Sequence, residues 1–253
     1  GFTCAGNLGW TAPSTLIWLA IGVVALILFI TRQLRLAHPM LEFRVFANSI
    51  FPLTIIIGMI TFLGLIGAET IIPLFMQNMR DFTAFEAGLA LLPGALITGL
   101  LSPITGRLFD KFGARWLAII GLTIITGSSF AFATLSPTTS FTFLTVMYGV
   151  RMFGLAMVMM PVATAGLNRL PKRLIPHGAA MDNTMKMIAA SVGTAILVTV
   201  MTTTAETAGA RPEITHPDMY GANMAFIVVS VLSLIGLVIS FFIKEKQPET
   251  EGS

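Results

Sequence analysis

The stretch WLAIIGLTIITGSSFAFATLSPTTSFTFLTVMYGV, residues 116–150, contains no Asp, Glu, Lys or Arg in 35 consecutive positions. A transmembrane helix needs about 20 consecutive apolar residues, because lipid offers no partner for an unpaired backbone amide. The run is therefore too long for one helix. The segment Ser136-Pro137-Thr138-Thr139-Ser140 interrupts it, and proline lacks an amide donor and disfavours helix in the residue before it. The stretch predicts two transmembrane helices joined by a short polar turn.

Comparable uncharged runs fill most of the remaining chain. Over its 253 residues, 55% are hydrophobic and 11% are charged, where a soluble domain carries about a quarter charged residues. Barrel strands would instead alternate in short segments. We therefore predict an all-α integral membrane protein with about seven transmembrane helices. Their predicted positions are near 14–34, 50–75, 86–105, 116–135, 141–166, 177–204 and 223–243. The longest polar insertion, Glu206 to Ala222, is expected to be an exposed loop, and the charged tail after Ile243 is expected to be disordered.

Basic side chains divide unevenly between the two ends of these helices. If the first connection is cytoplasmic, 11 of the 15 Lys and Arg residues lie on that side, namely Arg32, Arg35, Arg44, Arg107, Lys111, Arg115, Arg169, Lys172, Arg173, Lys244 and Lys246. Arg80 and Arg211 lie on the other side, and Arg151 and Lys186 lie within helices. Because positive loops are retained in the cytoplasm, we predict an outside N-terminus, a cytoplasmic C-terminus and a multi-pass protein of the plasma or bacterial inner membrane.

Several function classes are disfavoured by the residues present. A single cysteine, Cys4, and three scattered histidines predict no metal site and no cofactor. Basic residues grouped between apolar runs indicate topology rather than nucleic-acid binding. No nucleophile–base pair or H-E-x-x-H motif occurs, so we do not expect an enzyme. A seven-helix receptor is a distant alternative, because the last helix, Asn223 to Ile243, has no lysine for a Schiff base.

The segment from Gly106 to Arg115, Gly-Arg-Leu-Phe-Asp-Lys-Phe-Gly-Ala-Arg, joins two predicted helices. It resembles the G-x-L-x-D-x-x-G-x-R loop of the major facilitator superfamily. The matching positions are Gly106, Asp110, Gly113 and Arg115. Glycine permits a tight turn there, and the charged groups can pair with one another or with helix ends.

Further segments resemble the fourteen-span drug:proton antiporters of that superfamily. They are Ile72 to Gln77, Ala87 to Ala95 with Ser102 to Gly106, Arg151 to Leu155 with Met159 to Pro161, and Asn183-Thr184 with Ser191 to Ala195. The chain departs from the family where Lys186 and Met187 stand in place of an Arg-Gln pair, so no role carries over to that pair.

The resemblance implies a domain organisation and a function. Residues 1–13 would be an extracytoplasmic remnant, 14–36 a linker helix, 37–49 a cytoplasmic connection, 50–243 the C-terminal six-helix half and 244–253 a cytoplasmic tail. The chain has no initiator methionine, and we expect it to be cut from a longer protein. Its partners would be the lipid bilayer, the missing N-terminal half, protons and a small hydrophobic or cationic substrate. It would export drugs by alternating access. A carrier of a specific metabolite, lipid or siderophore is the alternative, and no prediction follows about an adaptor protein.

Four ionisable residues within predicted helices are candidates for proton coupling or substrate binding, since a charge in lipid costs about 2.5–3.5 kcal/mol on insertion scales. Glu69 could exchange a proton or attract a cationic drug, or it could line a cavity near the outer surface. Arg151 should face the bundle interior, against a carboxylate or backbone carbonyls, as an anchor. Asp182 and Lys186 are four residues apart and could form an ion pair near the cytoplasmic mouth, with a structural, gating or proton-relay role.

Soft and polar side chains on the same helices are candidates for a substrate cavity. Methionine and phenylalanine can repack around varied hydrophobic molecules. The residues selected are Phe75, Met76, Met157 and Asn183.

Overall fold

The computed structural model describes residues 13–35, 42–211 and 214–243, and within these ranges the chain forms helices and no strand. The long helices are α1 (Pro13–Arg35), α2 (Phe51–Met79), α3 (84–112), α4 (114–132), α5 (Phe141–Leu167), α6 (Ile175–Gly209) and α7 (Pro217–Ser240). Short 3-10 helices, Phe43–Ala47 and Lys172–Leu174, precede α2 and α6. The all-α prediction is confirmed.

Helices α3 and α4 form a hairpin, although helical hydrogen bonding runs almost unbroken over Ala84–Phe132. A straight helix would place Ile97 and Ile124 about 40 Å apart. Both instead line one cavity beside Gly149 of α5, so the chain folds back between them. The reversal lies at Gly113, whose φ of 76° and ψ of 172° are accessible essentially only to glycine. The prediction of two separate helices near 86–105 and 116–135 is thereby confirmed.

The predicted helix ends need correction at the second, third, sixth and seventh helices. Helix α3 continues to residue 112 instead of ending at 105. Helix α2 continues to Met79 and α6 to Gly209, while α7 begins at Pro217. The expected loop from Glu206 to Ala222 is therefore wrong in extent, and the connection is only 210–216. Threonine hydroxyls bond to carbonyls one turn earlier, as Thr207 does to Thr203 at 2.7 Å, so polar residues continue α6. Residues 1–12 of the predicted remnant 1–13, residues 37–41 of the first connection and the tail 244–253 lie outside the described residues.

The hydrophobic core is built by close helix approach. A Cβ placed on Gly121 of α4 would lie 2.6 Å from the carbonyl oxygen of Gly154 on α5, and one on Gly154 would lie 2.8 Å from the Gly121 carbonyl. Small residues at such crossings let backbones pack directly in a membrane. Phe132 and Phe226 stack with ring centroids 5.1 Å apart, which joins α4 to α7.

The basic connections collect at one end of the bundle. The Asn48 amide donates to the Arg169 carbonyl at 3.0 Å, joining the connection before α2 to the one after α5. Helices α3 and α5 run in the same direction, because Gly94 of α3 packs beside Tyr148 of α5, and further along both helices Ser102 contacts Met160. The Gly113 turn therefore lies at the same end as Arg169.

The connections with few basic residues lie at the opposite end. The Leu135 amide donates to the Asn223 side chain at 3.1 Å, and the Asn223 amide donates back to the Leu135 carbonyl at 2.9 Å. These bonds join the α4–α5 turn to the start of α7. Phe82 and Phe141 pack edge to face nearby, so the α2–α3 turn lies at this end too.

Large apolar side chains cover the outside of the molecule. Phe85 is 78% exposed, Leu100 is 73% exposed, and Leu28 of α1 is 63% exposed. Six described helical stretches are long and apolar enough to cross a membrane, with Ala84–Phe132 counted as one. An apolar exterior around hydrogen-bonded helices is stable in lipid, so the chain is a multi-pass membrane protein.

Candidate functional site

Arg151 lies in the middle of α5 and is 1% exposed. One terminal nitrogen of its guanidinium donates to the Ser129 hydroxyl on α4, and the other donates to the Gly64 carbonyl on α2 at 2.8 Å. The residue therefore ties three helices together. Of the two partner types predicted for it, carboxylate or carbonyl, the structure shows the carbonyl and adds a hydroxyl.

Small residues make room for this guanidinium. A Cβ placed on Gly64 would lie 2.9 Å from a terminal nitrogen of Arg151. The planar fork of arginine can donate in two directions at once, which a lysine ammonium cannot reproduce with the same geometry. Within the described residues, the Nε atom of Arg151 is buried and has no hydrogen-bond partner.

Glu69 lies five residues after Gly64 on α2 and is exposed. Its carboxylate interacts electrostatically with Tyr148 of α5. Tyr148 precedes Arg151 by three residues, so both side chains lie on one face of α5, and they interact electrostatically. We call Glu69, Tyr148, Arg151 and Ser129 the polar cluster.

Sequence reasoning missed two members of the polar cluster, Tyr148 and Ser129. It selected ionisable groups in apolar runs, and both of these side chains are neutral. One available signal was the spacing of three residues between Tyr148 and Arg151, since a buried arginine needs polar neighbours. The contact of Ser129 with Arg151 depends on the crossing of α4 and α5, which the sequence does not specify.

Asp182 and Lys186 form a second charged site. Their side chains are 12% and 10% exposed, and the Lys186 Nζ lies 2.6 Å from an Asp182 carboxylate oxygen. The pair packs on Gly58 of α2, where an added Cβ would lie 3.1 Å from the Lys186 side chain. Gly58 precedes Gly64 by six residues, or about 9 Å along the helix. The pair thus lies towards the basic end of the bundle, and its gating or relay role stays a prediction.

The loop that resembles the superfamily motif surrounds the α3–α4 reversal. Gly106 lies within α3, Asp110 is exposed near its end, and Arg115 is the second residue of α4. The Lys111 ammonium lies 5.3 Å from the centroid of the Phe112 ring. Of the two motif glycines, the described backbone requires glycine at 113 and is helical at 106.

The four substrate-cavity candidates occupy different environments. Phe75 and Met76 are 0% exposed and belong to the hydrophobic core of the bundle. Met157 lines a cavity of about 320 Å³ with Phe112 and neighbouring apolar residues. Asn183 is exposed on α6. The structure does not bring the four together, and their contact with a substrate stays a prediction.

An apolar helical bundle with its basic turns at one end defines a polytopic membrane protein. Residues 1–194 match the model of the Major Facilitator Superfamily. Because this match covers more than half of the chain, the chain belongs to that superfamily of membrane transporters.

Several individual transporters are similar in sequence to this chain. The chain is 51% identical over 251 residues to the uncharacterized MFS-type transporter YcnB of Bacillus subtilis, covering 99% of this chain and 53% of that protein. It is 38% identical over 250 residues to the lincomycin resistance protein LmrB of Listeria monocytogenes, covering 96% and 53%. It is 31% identical over 190 residues to the multidrug export protein EmrB of Haemophilus influenzae, covering 74% of this chain and 37% of that protein. The chain spans about half the length of the first two relatives.

Proposed function

We propose that this chain is part of a secondary active transporter that exports hydrophobic or cationic drugs in exchange for protons. The superfamily consists of carriers, and relatives named for lincomycin resistance and multidrug export support a drug substrate. The remainder of the transporter would supply a second helical half, and alternating access would move the substrate between them.

The observation that carries this proposal is the exposed carboxylate of Glu69. It belongs to α2, a helix of 29 residues whose other side chains are uncharged. An ionisable group within a transmembrane helix costs free energy, so its presence there indicates a function. A carboxylate that faces outward from the bundle can bind either a proton or a cationic drug, and competition between the two for one site is the simplest form of antiport.

The orientation of the transporter is also proposed. Basic turns lie at one end of the described bundle, and the positive-inside tendency assigns that end to the cytoplasm of a plasma or bacterial inner membrane. In this arrangement α1 would be a linker helix that begins outside, and α2 to α7 would be the six-helix half. Glu69 would then lie in the outward part of α2.

Transport by the full-length protein tests the proposal. Inverted membrane vesicles would be energised with a proton gradient, and uptake of tetraphenylphosphonium and of neutral hydrophobic drugs would be followed. We expect Glu69→Gln to reduce proton-driven uptake of the cation to the background of vesicles lacking the transporter. Glu86→Gln is the matched control, because Glu86 caps α3 by bonding to Thr83, and glutamine can retain that capping box.

Three results would contradict the proposal. Uptake that persists unchanged after the gradient is dissipated would exclude proton coupling. A Glu69→Gln protein with full, gradient-dependent uptake would remove Glu69 from the mechanism. Selective uptake of one metabolite, lipid or siderophore, with no uptake of drugs, would favour the alternative carrier.

A further inference from the structure

An apolar groove lies beside the α3–α4 reversal, with a cavity of about 320 Å³. Three helices supply its lining residues, which are Leu108, Phe112, Trp116, Leu117, Ile120 and Met157. Leu117 is buried, whereas Phe112 is 50% exposed and Trp116 is 59% exposed. The groove therefore opens away from the bundle, on a surface that faces lipid acyl chains. We call it the reversal groove.

Basic side chains border the reversal groove near Gly113. Arg107, Lys111 and Arg115 each directly precede a lining residue in the sequence. The Lys111 ammonium lies 5.3 Å from the centroid of the Phe112 ring, which places one cation at the rim of the groove. Arg107 precedes Lys111 by four residues, so both side chains lie on one face of α3. The groove thus combines an apolar lining with a positively charged rim.

The charge of this rim is only partly balanced by acidic residues of the turn. From Gly106 to Arg115 the chain carries three cations and one carboxylate, Asp110, which gives a net charge of +2. Among the described residues the ion pairs lie elsewhere, and neither Arg107 nor Lys111 takes part in one. Coulomb interaction with such a rim disfavours a cationic drug in the groove and favours an anion.

The apolar surface continues from the reversal groove towards the middle of the bundle. A second apolar cavity, of about 460 Å³, is lined by residues of the same three helices. Its lining residue Ile124 follows Ile120 by four residues on α4, and its lining residue Phe153 precedes Met157 by four on α5. The second cavity therefore begins about one helical turn deeper. A long acyl chain with its polar end at the rim can follow this path.

We propose that the reversal groove binds an anionic phospholipid. The phosphate lies between Arg107 and Lys111, and one acyl chain packs on Phe112, Trp116 and Met157. Basic pockets between transmembrane helices favour anionic headgroups, and tryptophan is enriched at the depth where headgroup and acyl chain meet. A free anion would use only the rim, and a neutral hydrocarbon would use only the lining. Binding of this lipid requires neither drug export nor proton coupling, so it is independent of the proposed function.

Quenching of Trp116 fluorescence by brominated lipids measures which lipid occupies the groove. In the full-length protein every other tryptophan, including Trp10 and Trp18, would be replaced by phenylalanine. The protein would be reconstituted in vesicles of phosphatidylglycerol and phosphatidylcholine, with bromine on the acyl chains of one lipid at a time. We expect phosphatidylglycerol to bind beside Trp116 at least about fivefold more tightly, which is the effect of one nearby cation on an anionic headgroup.

Two pairs of charge substitutions separate specific binding from general attraction to a basic surface. Arg107→Gln combined with Lys111→Gln should abolish the preference for phosphatidylglycerol at Trp116. Lys172→Gln combined with Arg173→Gln is the matched control, because both residues are exposed at the same end of the bundle and the change in net charge is the same. This control should retain the preference.

A tryptophan at another position on α4 tests whether the preference is local. Phe130 is 46% exposed and lies ten residues, or about 15 Å, beyond Ile120. A protein with Trp116→Phe and Phe130→Trp should be quenched equally by the two brominated lipids. If the single-tryptophan proteins do not fold, native mass spectrometry of the protein with its tryptophans intact gives an independent test. Phosphatidylglycerol should stay bound to it and should be lost after Arg107→Gln with Lys111→Gln.

The outcomes distinguish this proposal from the proposed function. Preferential binding of phosphatidylglycerol in a protein that exports no drug supports the lipid site and rejects only the drug substrate. Equal quenching of Trp116 by the two lipids overturns the proposal, and so does an equal loss of preference in both charge variants. Displacement of brominated phosphatidylglycerol by inorganic phosphate would also overturn it, because the site would then bind an anion without an acyl chain.

Discussion

Arg151 shows how a single charge organises the centre of this bundle. Its guanidinium is 1% exposed, and it donates to two oxygen atoms, the Ser129 hydroxyl and the Gly64 carbonyl. The residue that sequence reasoning expected to be an anchor does connect α2, α4 and α5.

A serine substitution measures the anchoring contribution. Ser129→Ala removes one acceptor of Arg151 and leaves a buried donor unpaired, which costs about 1–3 kcal/mol. Ser128→Ala is the control, because Ser128 is also buried and its hydroxyl bonds only to the Ile125 carbonyl of its own helix at 3.0 Å. We expect thermal unfolding in detergent to show a lower Tm for Ser129→Ala than for Ser128→Ala. Equal Tm values would show that the bond to Ser129 adds no stability.

The sequence predicted the number of transmembrane helices well and the residues at which they begin and end poorly. Long uncharged runs fix the number of spans, because lipid allows few alternatives to a helix. Helix ends were missed at Met79, at residue 112, at Gly209 and at Pro217. The extension of α6 to Gly209 has a physical reason, because the hydroxyls of Thr203 and Thr207 bond to carbonyls of their own helix. Polarity alone is therefore a poor marker of where a transmembrane helix stops.

The sequence predicted the charged residues of the candidate site but not their neutral partners. Charged residues such as Arg151 and the Asp182–Lys186 pair are conspicuous in an apolar sequence, and a spacing of four residues makes a local ion pair accessible on one helix. The partners Tyr148 and Ser129 are ordinary residues of membrane helices. Their roles depend on which helices cross and at what depth, and that is decided by tertiary packing.

The α3–α4 reversal gives a prediction about a single glycine. Gly113→Ala places a Cβ where φ is 76°, and such strain costs about 1–3 kcal/mol. Gly106→Ala is the matched control within the same motif, because Gly106 is helical and an added Cβ meets no atom within 4 Å. It should leave stability unchanged or raise it by up to about 1 kcal/mol. Thermal unfolding of both variants checks this, and a Gly106→Ala protein that is the less stable of the two would contradict it.

For the molecule as a whole, the central feature is the separation of the two ends. Arg107, Lys111 and Arg115 surround the α3–α4 reversal, and Arg169 begins the basic connection before α6. The bundle brings these connections to one end, whereas the α4–α5 turn lies at the other. A superfamily match that covers residues 1–194 agrees with a bundle that spans a membrane in this manner.

Cysteine accessibility in the full-length protein tests this arrangement most directly. After removal of native cysteines, including Cys4, single cysteines would be introduced by Lys111→Cys, Lys172→Cys and Thr138→Cys, all at exposed positions. Intact cells would be treated with a membrane-impermeant maleimide before and after permeabilisation. We predict that position 138 is labelled in intact cells, and that positions 111 and 172 are labelled only after permeabilisation. Labelling of positions 111 and 172 from opposite sides of the membrane would contradict the account.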